Sequence, residues 1–308
     1  MIELKSVGKS FGKIMAVDNI SLSTKDGEIF GILGPNGAGK STIIKMIMNI
    51  LVPDSGSILF DGRPICEADK DRIGYLPEEK GLYRKVRIDK MLLYFASLKN
   101  VDRKIAEKNL DEWLDRLHLS DWKTATPEAL SKGMTQKIQF ISSILHDPDF
   151  IFLDEPFSGL DPVNTDVLRA AIHDLGQMGK TILFSTHNME IAEKICSRIL
   201  IINNGHEVIS GSLKDIKDRY GRNTVVVEFD GTIDFTALKG LVSKSTRFPR
   251  WAEFDLVDGA SPQALLRILL DHVTVRKFEV LAPSLHNIFV DLIGNSEVVG
   301  PKRVSTIR

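Results

Sequence analysis

Cysteine is scarce in this sequence. The 308 residues contain two cysteines, Cys66 and Cys196, and they lie far apart. A disulfide-stapled secreted domain would be richer in cysteine, and a structural zinc site or a redox motif needs cysteines at close, fixed spacings. We therefore expect two reduced thiols in a cytoplasmic protein.

Long apolar runs are also missing. No stretch approaches the ~20 apolar residues that a membrane-spanning helix needs. The first residues, MIELKSVGKSFGK, contain no apolar signal region. We expect a cytoplasmic chain that spans no bilayer. If it acts at a membrane, we expect it to do so as a peripheral protein on the inner face, through a partner.

An excess of charge of one sign is the third absence. The chain has 40 Lys and Arg against 41 Asp and Glu, which gives a formal net charge of −1. Proteins that bind nucleic acids by neutralising phosphates are usually more basic, so we expect no nucleic-acid partner. The remaining composition, 43% apolar and 26% charged, is typical of a globular protein with one large or two moderate domains.

The most informative stretch is glycine-rich and reads GPNGAGKS, from Gly34 to Ser41. It has the spacing of a phosphate-binding loop, and it lies between a strand-like apolar run and a run with helical periodicity. Glycines let such a loop wind tightly, so that backbone N–H groups and the next helix N-terminus face an anion. We expect Lys40 to contact the outer phosphates and Ser41 to bind Mg²⁺.

Two acids and a histidine follow apolar strands further along the chain. Residues 150–155 read FIFLDE, a pattern typical of a central parallel strand that is buried on both faces. Asp154 could reach Mg²⁺ directly or through a water, and Glu155 could polarise the water that attacks a γ-phosphate. His187 follows another such strand and could hydrogen-bond the γ-phosphate. Taken singly, the acids could be surface groups and the histidine structural.

The pattern along the chain predicts an α/β fold in two domains. Residues 1–220 read as a nucleotide-binding core, and helical spacing over about 88–145 predicts an inserted helical subdomain. Beyond a boundary near Gly221, residues 221–296 alternate between strand and helix patterns, which suits a small α+β domain. The last residues, 297–308, form a polar tail that we expect to be frayed.

Local patterns predict several individual elements. Upstream of the glycine loop, Phe11 precedes Gly12 and could either pack in a turn or form a platform for an adenine ring. Short strands are predicted there over 2–7 and 20–23. Beyond the domain boundary, the patterns predict strands over 224–230, 253–257 and 273–281 and helices over 235–242, 262–271 and 284–293.

With these motifs in place, the chain resembles the ATPase subunit of ATP-binding cassette (ABC) transporters. The match covers roughly the first two-thirds of the chain, and the order and spacing of its motifs make it specific. It is carried by GPNGAGKST (34–42), LSKGM (130–134), FIFLDEP (150–156), SGLD (158–161) and His187. The resemblance implies a P-loop NTPase core that binds ATP and Mg²⁺ and hydrolyses ATP.

The resemblance also implies roles for individual residues. It places Phe11 at the adenine-stacking position, Glu78 in a loop near the metal, and His187 as the switch histidine. Lys40, Glu155 and His187 are the expected catalytic residues, and Ser41, Asp154 and Glu78 the expected metal ligands. The residues expected to contact ATP are Phe11, Gly34, Pro35, Asn36, Gly37, Ala38, Gly39, Lys40, Ser41, Thr42, Ser131, Gly133 and Asp161.

Three positions depart from the family pattern. The usual signature is LSGGQ, whereas here Lys132 replaces a glycine and Met134 replaces the glutamine. Lys132 adds positive charge at a helix N-terminus, which favours anion binding. Glu78 stands where the family usually has Gln and adds a carboxylate near the metal. None of the three changes removes a group that hydrolysis requires.

The resemblance therefore implies a cytoplasmic ATPase that dimerises around two ATP molecules, as a homodimer or with a related cassette, and drives a separate permease. YLPEEKGLY (75–83), LSKGM and PSLHNIFVDLIG (283–294) are similar to bacterial sodium- or antibiotic-efflux ATPases, an export-type branch with an added C-terminal domain. An ABC-type ATPase acting on DNA or ribosomes is the alternative. The interval from Ser41 to Leu130 is too short for the long coiled coil of DNA-acting ATPases of this type, and it lacks heptads. A further alternative is a sensor function for residues 222–308, but this segment contains no ligand-binding motif. The motifs of the chain do not identify the transported substrate.

Overall fold

A computed structural model describes residues 1–79, 81–220, 224–233, 238–257, 259–281 and 284–296. The chain divides into two compact units, Met1–Leu213 and Lys214–Arg308. Each unit has its own cluster of buried apolar side chains. The polar tail predicted over 297–308 lies outside the described residues.

The first unit mixes strands and helices. Its strands are β1 (Ile2–Phe11), β2 (Ile14–Ser23), β3 (Ile29–Leu33), β4 (Ser55–Phe60), β5 (Ile73–Leu76), β6 (Phe150–Asp154), β7 (Thr181–Thr186), β8 (Arg198–Asn203) and β9 (His206–Ser212). Its helices are α1 (Lys40–Ile47), α2 (Ile88–Ser97), α3 (Arg103–Arg116), α4 (Lys132–Ile144), α5 (Pro162–Gln177) and α6 (Met189–Ile195). Short 3₁₀ turns lie at Glu67–Arg72, Ser120–Trp122 and Pro127–Ala129.

A six-stranded sheet with the order β5-β6-β7-β3-β8-β9 forms the centre of the first unit. All of its pairings are parallel except that of β8 with β9. Every residue of β3, β6 and β7 is buried, as expected for parallel strands covered on both faces. Leu33 pairs with Thr186 and Asp154 with Ser185. The segments that follow these three strands therefore leave the sheet side by side.

A second, antiparallel sheet has the order β2-β1-β4. The short strands predicted over 2–7 and 20–23 were wrong in extent, because β1 continues to Phe11 and β2 begins at Ile14. The pairing of β1 with β2 contains three register shifts. Each shift breaks the alternation of apolar and polar residues on which the prediction relied. The longer strands carry Phe11 to the tip of a hairpin, where it pairs with Ile14.

Helices α2, α3 and α4 pack against one another and account for most of residues 88–145. Asp102 caps α3 by accepting hydrogen bonds from the N–H groups of Lys104 and Ile105. Trp113 of α3 meets Phe140 of α4 edge to face, with 6.2 Å between ring centroids. Helix α4 begins immediately after Ser131, whose hydroxyl caps it by accepting a hydrogen bond from Met134 N–H.

The second unit is built around an antiparallel sheet. Helix α7 (Leu213–Tyr220) begins at the last residue of the first unit, and the second unit then has β10 (Thr224–Asp230), β11 (Val242–Arg247), β12 (Trp251–Leu256), α8 (Pro262–His272), β13 (Thr274–Leu281) and α9 (Leu285–Ser296). The strands have the order β11-β12-β10-β13. Leu265 and Leu269 of α8 are buried in the core of this unit. An antiparallel sheet accompanied by helices is an α+β arrangement.

The helix predicted over 235–242 is not supported where the chain is described. Residues 234–237 lie outside the described part, Leu241 N–H donates to Leu238 O in a turn, and Val242 begins β11. Leu238, Leu241 and Val242 have helical spacing, but pairing of Val242 with Leu256 places this segment in the sheet. Tertiary pairing has overridden the local pattern here. In the described parts of the chain, no helix is long and apolar enough to cross a membrane.

Candidate functional site

The glycine loop connects β3 to α1, and two of its glycines are required by space as well as by conformation. Gly34 has φ 154° and Gly39 has φ 108°, both in the region that favours glycine. A Cβ on Gly34 would lie 2.2 Å from Ile202 O, and one on Gly39 would lie 2.3 Å from Ala16 O. Gly37 also has a positive φ, 79°, but a Cβ there would meet open space. The loop is therefore held by neighbouring backbone on two sides.

Other contacts fix the same loop from the turn between β8 and β9. Gly205 N–H donates to Ala38 O at 3.0 Å, and Asp18 N–H donates to Gly205 O at 2.9 Å. Gly39, at the N-cap of α1, has no side chain to cap the helix, and the first turn of α1 contains no acid. The N–H groups of that turn and the positive end of the helix dipole are therefore left for an anion.

Lys40 folds back over the loop. Its side chain is 5% exposed, and its ammonium donates to Gly34 O at 2.9 Å and Pro35 O at 3.1 Å. Lys40 Nζ also lies 3.0 Å from Glu155 Oε1, close enough for an ion pair but outside hydrogen-bond geometry. From the sequence, Lys40 is expected to contact the outer phosphates and Glu155 to polarise the attacking water, and the structure places their two charges in contact.

Asp154 ends β6 beside the start of α1. Its Oδ1 accepts hydrogen bonds from Ser41 Oγ at 3.0 Å and from Ser185 Oγ at 2.6 Å. Its Oδ2 is buried and has no hydrogen-bond partner among the described residues. A buried carboxylate oxygen without a partner is costly, and Mg²⁺ or its water would satisfy it. The predicted metal ligands Ser41 and Asp154 are thus adjacent, and their oxygen donors fit Mg²⁺.

No group of three or more His, Cys, Asp or Glu side chains among the described residues could hold a metal ion by itself. Mg²⁺ bound by Ser41 and Asp154 would therefore need further oxygens, and nucleotide phosphates and water supply them in such sites. Glu78, the third predicted ligand, is exposed in the segment after β5. Its link to the site is electrostatic. Burial and the negative charges of Asp154 and Glu78 raise the pKa of Tyr75 to about 12.

Glu155 adopts an unusual backbone conformation. Its φ is 49°, and its side chain is 6% exposed. Its N–H donates to Ser185 Oγ at 3.0 Å, while His187 Nδ1 lies 3.0 Å from Glu155 Oε2. A non-glycine residue in the left-handed region stores strain, which the Ser185 contact helps to hold. The structure therefore brings together the three predicted catalytic residues, Lys40, Glu155 and His187.

Sequence reasoning missed Ser185, which joins the two acids through one hydroxyl. Its Oγ accepts from the N–H of Glu155 and donates to Oδ1 of Asp154. The only sequence signal was its place in the apolar run of β7, opposite Asp154 in the register. Tyr75 was missed as well. Its hydroxyl is buried and has no hydrogen-bond partner among the described residues.

Ser131, Gly133 and Asp161 lie in a second group at two helix starts. Ser131 caps α4, with Oγ accepting from Met134 N–H at 3.2 Å. Asp161 caps α5, and hydrogen bonds from the backbone and side chain of Asn164 hold the pKa of Asp161 below its usual value. Among the described residues, no hydrogen bond or ion pair is seen between this group and the glycine loop. The structure does not bring these predicted ATP contacts to Lys40 within one chain.

Phe11 and Thr42 are the remaining predicted ATP contacts. Phe11 is 48% exposed at the hairpin tip, and the Lys9 ammonium lies 5.9 Å from its ring centroid. Thr42 is half-buried in the first turn of α1. Pro35, Asn36 and Gly37 are exposed at the top of the loop. An exposed aromatic ring such as that of Phe11 has a face available for stacking on a base.

Comparison with known proteins decides the family. Residues 17–158 match the model of the ABC transporter family, and residues 211–293 match the model of the C-terminal domain of DrrA1-3-like ATP-binding proteins. An uncharacterised ABC transporter ATP-binding protein of Bacillus subtilis is 40% identical, over 96% of this chain and 99% of its own length. The chain belongs to the ABC transporter ATP-binding proteins.

Other matches agree with this assignment. The linearmycin resistance ATP-binding protein of Bacillus subtilis is 29% identical over 96% of this chain and 99% of that protein. A solved ATP-binding subunit of an ABC transporter has a TM-score of 0.65 and 28% identity over 71% of this chain and 93% of its own. The cassette MJ0796, solved as a dimer bound to ADP and Pi, has a TM-score of 0.63, with 24% identity over 69% of this chain and 99% of its own, and shows the same fold.

These findings confirm the resemblance, the P-loop NTPase fold with a C-terminal domain, and ATP hydrolysis linked to transport as the activity of this ABC chain. The site geometry is consistent with that activity, because the phosphate loop, the acids and the histidine meet at the carboxyl edge of the parallel sheet.

Proposed function

We propose that two copies of this chain close around two ATP molecules and that hydrolysis drives a separate membrane permease that exports its substrate. The observation that carries the proposal is the buried ion pair of Lys40 and Glu155, with the exposed His187 in contact with Glu155, beside the unpartnered Oδ2 of Asp154. An ammonium, a carboxylate and an imidazole grouped at the mouth of a phosphate loop are suited to phosphoryl transfer to water.

The ion pair between Lys40 and Glu155 sets the order of events. Both side chains are at least nine-tenths buried, so each charge depends strongly on the other. A γ-phosphate at the loop carries more negative charge than a carboxylate and competes for the Lys40 ammonium. As Lys40 turns to the phosphate, Oε1 of Glu155 becomes available to accept a hydrogen bond from water. Catalysis is thus engaged only when ATP is in place.

The chemical step then uses groups that are already aligned. The water oxygen forms a bond to the γ-phosphorus, its proton passes to Glu155, and the bond from the γ-phosphorus to the bridging oxygen of ADP breaks. His187 holds Oε2 of Glu155, and Ser185 holds the Glu155 backbone. Mg²⁺, when bound at Ser41 and Asp154, would neutralise the charge on the phosphates.

Two copies are needed because of the second group of residues. Ser131 and Gly133 lie at the start of α4, where a hydroxyl and free N–H groups could meet a γ-phosphate, but their contacts are with their own surroundings. We infer that they meet the ATP held by the loop of a second copy. The dimer of MJ0796 bound to ADP and Pi supports this inference through the shared fold.

We propose that the permease binds the surface formed by the residues that follow Glu78 in the chain. Tyr83 is 57% exposed, Leu82 is half-buried, and the Tyr83 ring lies 6.0 Å from that of Phe95 in α2. The same helix, α2, also contributes to a groove of about 290 Å³ between α2 and α3, which is lined by Leu93, Tyr94 and Val101 among others. Exposed aromatic groups around a groove are typical anchors of protein interfaces. Through this contact the chain would be held at the inner face of the membrane.

Export is inferred from a relative named for Nod factor export and from one named for linearmycin resistance, the second of which is matched over nearly the whole chain, including its C-terminal domain. The transported substrate would be selected by the permease.

Replacing Glu155 with Gln tests the catalytic assignment. The amide cannot accept the proton, so we expect turnover to fall by about 10²-fold or more while ATP binding is kept. Lys40→Ala should lose ATP binding itself. Glu112→Gln, an exposed acid on α3, is the matched control and should hydrolyse normally. The measurements are phosphate release and nucleotide affinity of the purified chain. Glu155→Gln turning over at the parent rate would remove Glu155 from the mechanism.

A further inference from the structure

Two segments that serve the proposed dimer site touch each other within one chain. We call residues 130–134 the signature segment and residues 158–161 the turn segment. We propose that Lys132 is a positioning residue that locks these two segments into one surface before a second copy arrives. The proposal rests on the proposed composite site, since it explains how one half of that site is held ready.

The side chain of Lys132 lies directly over Gly159. A Cβ built on Gly159 would be 2.4 Å from both Cε and Nζ of Lys132 and 3.2 Å from its Cδ. Gly159 has φ 72°, a conformation that side-chain-bearing residues rarely adopt. The tip of Lys132 therefore occupies the space that the missing side chain leaves.

Two further contacts run along the same side of α4. A Cβ on Gly133 would lie 3.3 Å from Asn164 Nδ2 and 3.5 Å from Leu160 Cδ2, so α4 approaches the turn segment closely. One turn later, the buried Gln136 donates from Nε2 to Pro156 O at 3.0 Å. Of these three residues of α4, Lys132 is exposed, whereas Gly133 and Gln136 are buried.

The turn segment needs such a contact because little else holds its outer part. Ser158 and Gly159 are exposed, and the turn is closed by Ser158 N–H to Glu155 O at 3.1 Å and Leu160 N–H to Phe157 O at 3.2 Å. A glycine in an exposed turn has many conformations open to it. Covering Gly159 with a long side chain removes some of them, so less order has to be gained on dimerisation.

The aliphatic part of Lys132 is sufficient for this role. The ammonium forms no ion pair with the described residues, and the methylene atoms reach Gly159 together with it. Long charged side chains often cover apolar or backbone surface in this way. A methionine at position 132 keeps an unbranched chain that reaches the position of Cε, whereas an alanine does not.

The experiment measures ATP-dependent dimer formation by the full chain in the Glu155→Gln background. Lys132→Ala should raise the ATP concentration at half-maximal dimer about tenfold, which is about 1.4 kcal/mol, on the order of fixing one residue's backbone. Lys132→Met should restore the parent value, and ATP affinity of the isolated monomer should not change. Lys104→Ala, an exposed lysine near the start of α3, is the control and should have no effect.

Two outcomes would overturn the proposal. If Lys132→Ala dimerises like the parent, the contact does not position the segments. If Lys132→Met fails as Lys132→Ala does, the ammonium rather than the chain acts, and the packing role is wrong. Ser131→Arg in the same assay separates this from failure of the composite site, because it should block dimerisation whatever Lys132 does.

Discussion

Single residues of the site adopt backbone conformations that only their surroundings explain. The spacing of the glycine loop predicts a phosphate site, and the loop residues Gly34 and Gly39 lie where a side chain would collide with neighbouring backbone. The left-handed conformation of Glu155 and the double contact of Ser185 could not be predicted, because both depend on the register of β6 with β7. Sequence indicates which groups are present, and strand register decides which of them meet.

Gly39→Ala tests the spatial requirement. The added Cβ would lie 2.3 Å from the backbone oxygen of Ala16, which cannot move without shifting β2. We expect a loss of about 1–3 kcal/mol of stability beyond the conformational penalty, together with loss of ATP binding. Gly179→Ala is the matched control, since Gly179 has φ 85° and open space around it. The measurement is the free energy of unfolding of both variants in urea. Equal losses of stability in the two variants would show that the collision is not the cause.

At the scale of elements, the buried parallel strands were the most predictable and the edges the least. The apolar run of β6 was recognised from sequence because both faces of that strand are covered. Strand β11 was missed, because after Val242 its residues are polar and exposed, and it lies at the edge of its sheet. Bulges in the pairing of β1 with β2 hid the full length of those strands. Alternation reveals a strand only when one face is regularly buried.

The segment after β5 carries a prediction about the permease. Leu82→Ala combined with Tyr83→Ala removes the proposed anchors, and losses of about 2 kcal/mol or more in permease binding are expected from such groups. The isolated double variant should remain folded and hydrolyse ATP, but it should fail to retain the permease in a pull-down and fail to support transport. Ile50→Ala with Val52→Ala, an exposed apolar pair elsewhere, is the control. A double variant that binds the permease fully, or that unfolds, would place the docking surface elsewhere.

The whole molecule contains one phosphate loop and one signature segment. Among the described residues, no hydrogen bond joins the two segments within one chain. In a dimer with a two-fold axis, the glycine loop of each copy would face the signature segment of the other, so that both segments would be used twice. The family assignment extends over both units, since the relative from Bacillus subtilis matches 96% of the chain. The proposed dimer could not be derived from composition or periodicity, because it depends on which surface each segment presents.

The most direct test of this account is size-exclusion chromatography with light scattering on Glu155→Gln, with and without ATP and Mg²⁺. Because hydrolysis is blocked, the ATP-bound dimer should accumulate, and removing ATP should return the monomer. Adding Ser131→Arg should abolish the dimer while the monomer still binds ATP. A Glu155→Gln chain that stays monomeric at saturating ATP, or a double variant that still dimerises, would contradict the composite site.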